Sequence, residues 1–224
     1  MLILTKMLDK TTKETTLKHI TIYASFILVV WGFYRLMFKL PEDVEEAILK
    51  PIIWLAPLII FLKKERLSPA SLGVTLKNFF PAVYFSIGLG AIFAIEAVFI
   101  NFVKYGGFNF QANIGQNAIL TSLGLSFITA MSEEVSFRGY IFNRLWWVLK
   151  NEWLANILTS VVWGIVHVPI AVFVWKLSAS RAVIYLFLTT AFGMGSAFVF
   201  ARTRNIFSSI FLHVLWEWPI ILFR

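Results

Sequence analysis

Apolar segments of nearly membrane-spanning length follow one another along almost the whole chain. A transmembrane α-helix needs roughly 20 mostly apolar residues, because every backbone polar group in lipid must be paired within the segment. Residues 135–149 are apolar but interrupted by Arg138 and Arg144, so they either continue the fourth helix or lie partly in the interface. The sequence therefore predicts an all-α, polytopic transmembrane bundle of about seven or eight helices. The seven main segments are residues 20–38, 47–62 (with Pro51 and Pro57), 79–103, a segment starting near 117, 154–175, 182–201 and 206–223.

The composition supports a single integral membrane domain over residues 1–224. Of these residues 59% are hydrophobic and 14% are charged, whereas a soluble domain carries about a quarter charged residues. Cysteine is absent, which excludes disulfides, a thiolate nucleophile and a cysteine-ligated metal. Residues 1–19 have no convincing signal-cleavage site, and we expect them to form a basic segment in the lipid interface.

The basic residues predict an orientation. The net charge of +8 fits contact with anionic lipid, and no nucleic-acid-binding motif accompanies it. With the basic turn 63–66 in the cytoplasm, thirteen of the twenty Lys and Arg lie on the inner side, and loops 42–46 and 105–116 lie outside. This orientation predicts that the N-terminus and the glutamate pair discussed next are both toward the cytoplasm. The thirteen are residues 6, 10, 13, 18, 63, 64, 66, 77, 138, 144, 150, 202 and 204.

A few ionisable residues lie inside or beside the apolar segments. Charged groups in lipid are costly, so those that occur usually face the bundle interior and mark a site. Glu96 stands alone in its helix and is best interpreted as a protonated structural residue, with a role near the site or substrate as the alternative. The set is Glu96, Glu133, Glu134, Arg138, His167, His213 and Glu217.

The stretch TAMSEEVSFRGY, residues 129–140, carries two adjacent glutamates and an arginine. Residues four apart share a helix face, so Glu134 and Arg138 can pair. Glu133 is rotated by about 100° from Glu134 and points elsewhere. Two close carboxylates in unequal environments suit a general base beside a carboxylate with another role. Glu133 is the candidate base, and the alternative is a network that only caps a helix at the membrane surface.

His167 lies in the segment VVWGIVHVPIAVF. Gly164 permits a close approach of helices, and Pro169 removes a backbone donor and loosens the helix beside the histidine. Irregular backbone at membrane depth is tolerated only within protein or at a wet cavity. His167 is therefore a candidate site residue, or else a structural histidine bonded to a neighbouring helix.

His213 and Glu217 lie four apart in FLHVLWEWPIILFR and share a helix face. Glu217 could orient His213 through a ring nitrogen, or both could bind one ligand. A self-satisfied His-Glu pair is the alternative. Pro219 is expected to bend or end this helix.

These residues, in this order, resemble the CAAX protease and bacteriocin-processing (CPBP or Abi, Rce1-like) family of intramembrane proteases. The family has an EExxxR motif, an FxxxH motif and an HxxxN or HxxxD motif on separate transmembrane helices. EEVSFR at 133–138 matches the first, WGIVH at 163–167 matches the second with Trp for Phe, and HVLWE at 213–217 matches the third with Glu at its end. The resemblance covers about residues 120–217.

The resemblance implies a protease that cleaves peptides or membrane proteins near the cytoplasmic face of a bacterial cell membrane. Glu133 with His167 would activate a water, Glu134 and Arg138 complete the first motif, and His213 with the residue at 217 would stabilise the oxyanion. Ionised Glu217 can only accept hydrogen bonds, so it must be protonated, orient His213 or bind a metal. We favour a reaction without a cofactor. The alternative is a zinc protease with Glu133, His167, His213 and Glu217 as ligands.

Two other classes of function remain open from the sequence. Buried Glu and His residues also form proton relays, so a proton-coupled transporter or channel is one alternative. It predicts proton flux that depends on Glu133 or Glu96. A non-catalytic membrane partner or regulator is the other.

Overall fold

The computed structural model describes residues 12–38, 40–108 and 119–222, and these form seven helical rods without strands. The prediction of an all-α bundle is confirmed. Residues 1–11 of the basic N-terminal segment, the start of the fourth segment and residue 223 lie outside the described residues. The rods are α1 (Lys13–Met37), α2 (Glu42–Val44, a π-helical turn Glu45–Leu49, then Lys50–Glu65), α3 (Phe79–Tyr105), α4 (Ile119–Glu134, a π-helical stretch Val135–Phe142, then Asn143–Leu149), α5 (Glu152–Val166 with a π-helical turn Ile170–Val174), α6 (Ala179–Thr203) and α7 (Ile206–Leu222).

Helix ends are set by side chains that bind the exposed backbone donors of the first turn. Thr12 Oγ1 accepts from the Thr15 amide at 3.1 Å before α1, and Asn151 Oδ1 accepts from the Leu154 amide at 3.0 Å before α5. Both helices therefore begin before the first residue of the apolar segment predicted for them from the sequence. Prolines within α2 and α7 do not end these helices, since α2 continues past Pro57 and α7 passes Pro219 to Leu222.

The fourth apolar segment and residues 135–149 form one continuous helix, as one of the two sequence interpretations proposed. The glutamate pair accordingly lies in the middle of α4. The alternative of a network that only caps a helix end does not fit this position, because the helix continues past Arg138 and Arg144. The π-helical stretch Val135–Phe142 follows the pair directly, and π-helical turns occur frequently at functional sites.

Successive rods alternate in direction, so the bundle has two ends. At the first end, Glu65 of α2 contacts His19 of α1 at 3.2 Å and Arg144 of α4 at 2.9 Å. At the second end, Arg35 of α1 contacts Glu46 of α2 at 2.8 Å, and Lys104 of α3 lies 4.0 Å from the ring of Trp175 after α5. Helix α7 packs against α3, α4 and α6, and α5 packs against α6.

Four rods are long and apolar enough to cross a membrane: α1, α3, α5 with its π-helical turn, and α6. Their outward faces carry large exposed apolar side chains, such as Phe80, Phe187 and Val29. An apolar exterior of this extent is expected of a protein surrounded by lipid. The interior, by contrast, contains an unusual number of buried charges, and these surround the candidate site.

Candidate active site

Glu133 lies at the centre of the bundle and is only 3% exposed. Its Oε1 accepts a hydrogen bond from Lys50 Nζ at 2.8 Å, and its Oε2 accepts one from the Trp163 indole at 2.7 Å. His167 Nε2 lies 3.9 Å from the same Oε2. The carboxylate is therefore held by a cation and a neutral donor from two other helices, and it retains lone pairs for a further partner.

Lys50 was not among the residues singled out from the sequence. Lys50 Nζ also pairs with Glu46, one turn earlier in α2, and Glu46 in turn accepts from Arg35 at 2.8 Å and from Thr129 of α4 at 3.0 Å. Residues 42–46 were expected to be an outside loop, but Glu45 and Glu46 are buried in the first turns of α2. A row of alternating charges thus connects the second end of the bundle with Glu133.

Glu134 faces a different set of partners from Glu133, as helix geometry predicted. Its Oε1 accepts from Arg138 at 3.0 Å and from His213 Nδ1 at 2.7 Å, and its Oε2 accepts from Ser196 at 2.6 Å. The predicted pairing of Glu134 with Arg138 is confirmed. With both carboxylate oxygens occupied by protein donors, Glu134 is placed to hold His213.

Arg138 completes this cluster from within the π-helical stretch. Its second Nη donates to the carbonyl of Gly193 in α6 at 3.1 Å, and its guanidinium lies 4.6 Å from the ring of Trp163. A Cβ at position 193 would stand 3.1 Å from both Arg138 and Trp163, so any larger residue would require these side chains to shift by a few tenths of an ångström. Arg138 itself does not line the cavity described below, and it acts on the site through Glu134.

His167 sits where α5 loses regular geometry. The α-helical part ends at Val166, and the chain resumes as a π-helical turn after Pro169, as predicted from the proline. The predicted close approach at Gly164 is also confirmed, since a Cβ there would collide with Thr190 of α6. His167 Nδ1 lies 2.8 Å from the Trp163 carbonyl, which can only accept, so Nδ1 carries a proton and Nε2 is the nitrogen nearest Glu133.

His213 and Glu217 share a face of α7, and both line the same cavity. His213 Nδ1 is bonded to Glu134, and among the described residues no hydrogen bond joins His213 to Glu217. Glu217 Oε2 is buried without a hydrogen-bond partner in the part of the chain that the structure describes. A polar atom left unsatisfied in this way usually marks a place that water or a ligand completes.

A cavity of about 70 Å³ joins these groups. Glu133, His167, His213 and Glu217 line it together with Lys50, while Glu96 and Glu134 are not among its lining side chains. A volume of this size holds several water molecules. Apolar walls come from Trp31, Ile100, Val166, Ile170, Trp175, Tyr185, Trp216, Ile220 and Ile221, and the remaining lining residues are Arg35 and Glu46.

The proposed zinc ligands do not form a metal site in this arrangement. Within residues 12–38, 40–108 and 119–222, no three His, Asp or Glu side chains are grouped so that they could hold a metal ion. Glu133 is bonded to Lys50 and Trp163, and one nitrogen of His213 is taken by Glu134. A tetrahedral zinc centre would require these donors to leave their present partners.

Comparisons with known proteins identify the region that carries the three motifs. Residues 115–219 match the family described as Type II CAAX prenyl endopeptidase Rce1-like. A Bacillus subtilis (strain 168) protein named "Putative membrane peptidase YdiL" is 30% identical over an alignment of 147 positions, and the match covers 58% of this chain and 54% of that protein. The chain thus spans about half the length of the curated relative it matches. No solved structure matches the chain. The matches confirm the resemblance drawn from the motifs.

Proposed function

We propose, on the premise that residues 115–219 belong to the Rce1-like family of type II CAAX prenyl endopeptidases, that this chain is a multi-pass membrane peptidase which hydrolyses peptide bonds with a water activated by Glu133. The observation that carries the proposal is the convergence of Glu133, His167, His213 and Glu217 on one buried cavity. Its substrates would be peptides or segments of membrane proteins.

The first step would use Glu133 and His167. A water bound at the edge of the cavity would donate one hydrogen bond to Glu133 Oε2 and the other to His167 Nε2, which lie 3.9 Å apart. Its oxygen would then attack the carbonyl carbon of the substrate while one proton passes to Glu133, acting as general base. Lys50 would keep the carboxylate in position through its 2.8 Å contact.

The second step would use the opposite wall of the cavity. The tetrahedral oxyanion would accept hydrogen bonds from His213 in its protonated form and from Glu217 as a neutral acid, which are the two lining groups on α7. Glu134, held by Arg138 and Ser196, would fix the ring of His213. Collapse of the intermediate would release the amine, which takes the proton from Glu133, and the new carboxylic acid.

The test compares Glu133→Gln with wild type by quantitative profiling of peptide termini in cells that hold equal membrane levels of both. We expect new termini with wild type, and a loss of about 10²-fold or more in their abundance with the variant, because general-base catalysis contributes on that order. Glu96→Gln makes the same chemical change outside the cavity lining and should retain the termini. Full cleavage by a folded Glu133→Gln protein would overturn the proposal, and proton flux that depends on Glu96 would favour a transporter.

A further inference from the structure

The cavity lies in the half of the bundle that belongs to the second end. Arg35 is two residues before the end of α1, and Trp175 directly follows the last turn of α5. Glu217 is eleven residues after the start of α7 and five before its end, or about 17 Å from the first end and 8 Å from the second at 1.5 Å per residue. The floor of the cavity, with Glu133 and His213, is near mid-depth.

The lining side chains that keep some exposure also belong to the second half. They are His167, Ile170, Trp175 and Glu217, on the last turns of α5 and α7, whereas Lys50, Glu133 and His213 are buried. The exposed rim therefore faces the second end.

The first end is closed over the site by packed side chains. Phe137, Phe142, Phe192 and Phe200 are buried in the half of the bundle toward that end. Beyond them, Glu65 binds Arg144 at 2.9 Å and Tyr140 at 2.6 Å, and all three side chains are buried. Substrate entry from the first end would require this layer to be taken apart.

The charges of the connecting segments distinguish the two ends. Among the described residues, 12–18 contain two Lys, 63–77 contain four Lys or Arg, and 144–150 and 202–204 contain two each, so ten of the sixteen described Lys and Arg flank the first end. Five of the described ones flank the second end, and of these Arg35 and Lys50 are neutralised by buried glutamates. Connections rich in Lys and Arg stay in the cytoplasm, which places the first end inside.

We propose that the cavity takes its substrate from the non-cytoplasmic side of the membrane, so that the substrates are exported peptides or the outward-facing segments of membrane proteins. That the cavity takes a substrate at all rests on the proposed peptidase function. The direction in which the cavity opens stands independently of catalysis. It reverses the expectation that the N-terminus and the site lie toward the same face, because the second end is opposite to the start of α1.

The chain contains no cysteine, so single cysteines report its topology directly. Ser180→Cys marks an exposed position at the start of α6 at the second end, and Leu76→Cys marks a position 83% exposed at the first end. Ile170→Cys places a thiol in the cavity lining. Each variant is treated with a membrane-impermeant maleimide in intact bacterial cells and again after permeabilisation.

We expect full labelling of Ser180→Cys and substantial labelling of Ile170→Cys in intact cells, with Leu76→Cys labelled only after permeabilisation. Labelling of Leu76→Cys but not Ser180→Cys in intact cells would overturn the inference. Protection of Ile170→Cys in intact cells, together with labelling in detergent that shows the thiol is reactive, would also overturn it, because the cavity would then not open outward. A loss of peptidase activity leaves these readouts unchanged, so failure of the proposed function is distinguishable.

Discussion

Lys50 Nζ lies 2.8 Å from Glu133 Oε1 and joins helix α2 to the candidate general base on α4. The two residues are 83 positions apart in sequence, and Lys50 is outside the region that matches the family. An ion pair buried at this depth fixes a carboxylate only while both partners are present.

Replacement of this lysine should destabilise the protein. Lys50→Met leaves Glu133 buried without its cation, which costs about 3–5 kcal/mol of unfolding free energy, whereas Lys50→Arg keeps the charge and should recover most of it. Thermal unfolding of the detergent-purified variants measures the difference. Lys63→Met changes an exposed lysine of the same helix and serves as the control. Equal stability of Lys50→Met and Lys63→Met would contradict a structural role for the pair.

Ser196 should matter for the position of His213. Ser196→Ala removes the 2.6 Å donor to Glu134 Oε2 and leaves a buried acceptor unsatisfied, at a cost of about 1–3 kcal/mol. Cleavage rate and melting temperature should both fall. Ser180→Ala, an exposed serine of the same helix, should change neither. An unaltered Ser196→Ala protein would show that Arg138 alone holds Glu134.

Substitutions of Glu217 can distinguish two roles for the last position of the third motif. If the side chain donates a hydrogen bond as a neutral acid, Glu217→Gln and Glu217→Asn should keep cleavage within a few-fold, since an amide also donates. Glu217→Leu should lose about 10²-fold, the magnitude found when one oxyanion donor is removed. Steady-state cleavage of a substrate found by terminus profiling measures all three. Loss of cleavage in Glu217→Gln equal to that in Glu217→Leu would exclude the donor role.

Metal dependence can be tested without mutation. Because no described group of His, Asp and Glu side chains could hold a metal ion, prolonged dialysis against a strong zinc chelator should leave cleavage unchanged. The zinc alternative predicts a loss that added Zn²⁺ restores. Zinc content of the purified protein, measured by mass spectrometry, gives a second readout independent of activity.

Local spacing predicted much of the site. Helix geometry separated Glu133 from Glu134 and paired Glu134 with Arg138, and both relationships hold in the structure. Proline and glycine around His167 predicted the irregular backbone and the close contact with α6. These inferences succeeded because they depend on residues within one or two helical turns.

What the sequence could not reveal depends on contacts between distant helices. Glu46 precedes the apolar segment 47–62 and Lys50 lies near its start, where charges normally lie in the interface, and only the packing of α2 against α4 shows that they are buried. The partner of His213 is likewise 79 residues away in sequence, on α4, and is not its neighbour Glu217. The one local feature that could have drawn attention to Lys50 is its position directly before Pro51, within an otherwise apolar run.

The contacts between α2 and α4 also have a mechanical consequence. Three residues of α2 bind α4. Lys50 pairs with Glu133, Glu46 accepts a hydrogen bond from Thr129, and Glu65 pairs with Arg144 near the other end of both helices. Because sliding α2 past α4 would break several buried bonds at once, these two helices are expected to move together as one rigid body. A cavity of about 70 Å³ is too small for a peptide, so it must widen to admit one. Trp163 of α5 and His213 of α7 are bonded to α4 as well. We therefore expect the widening to displace only the last turns of α5 and α7, which lie beyond these contacts and carry His167 and Glu217.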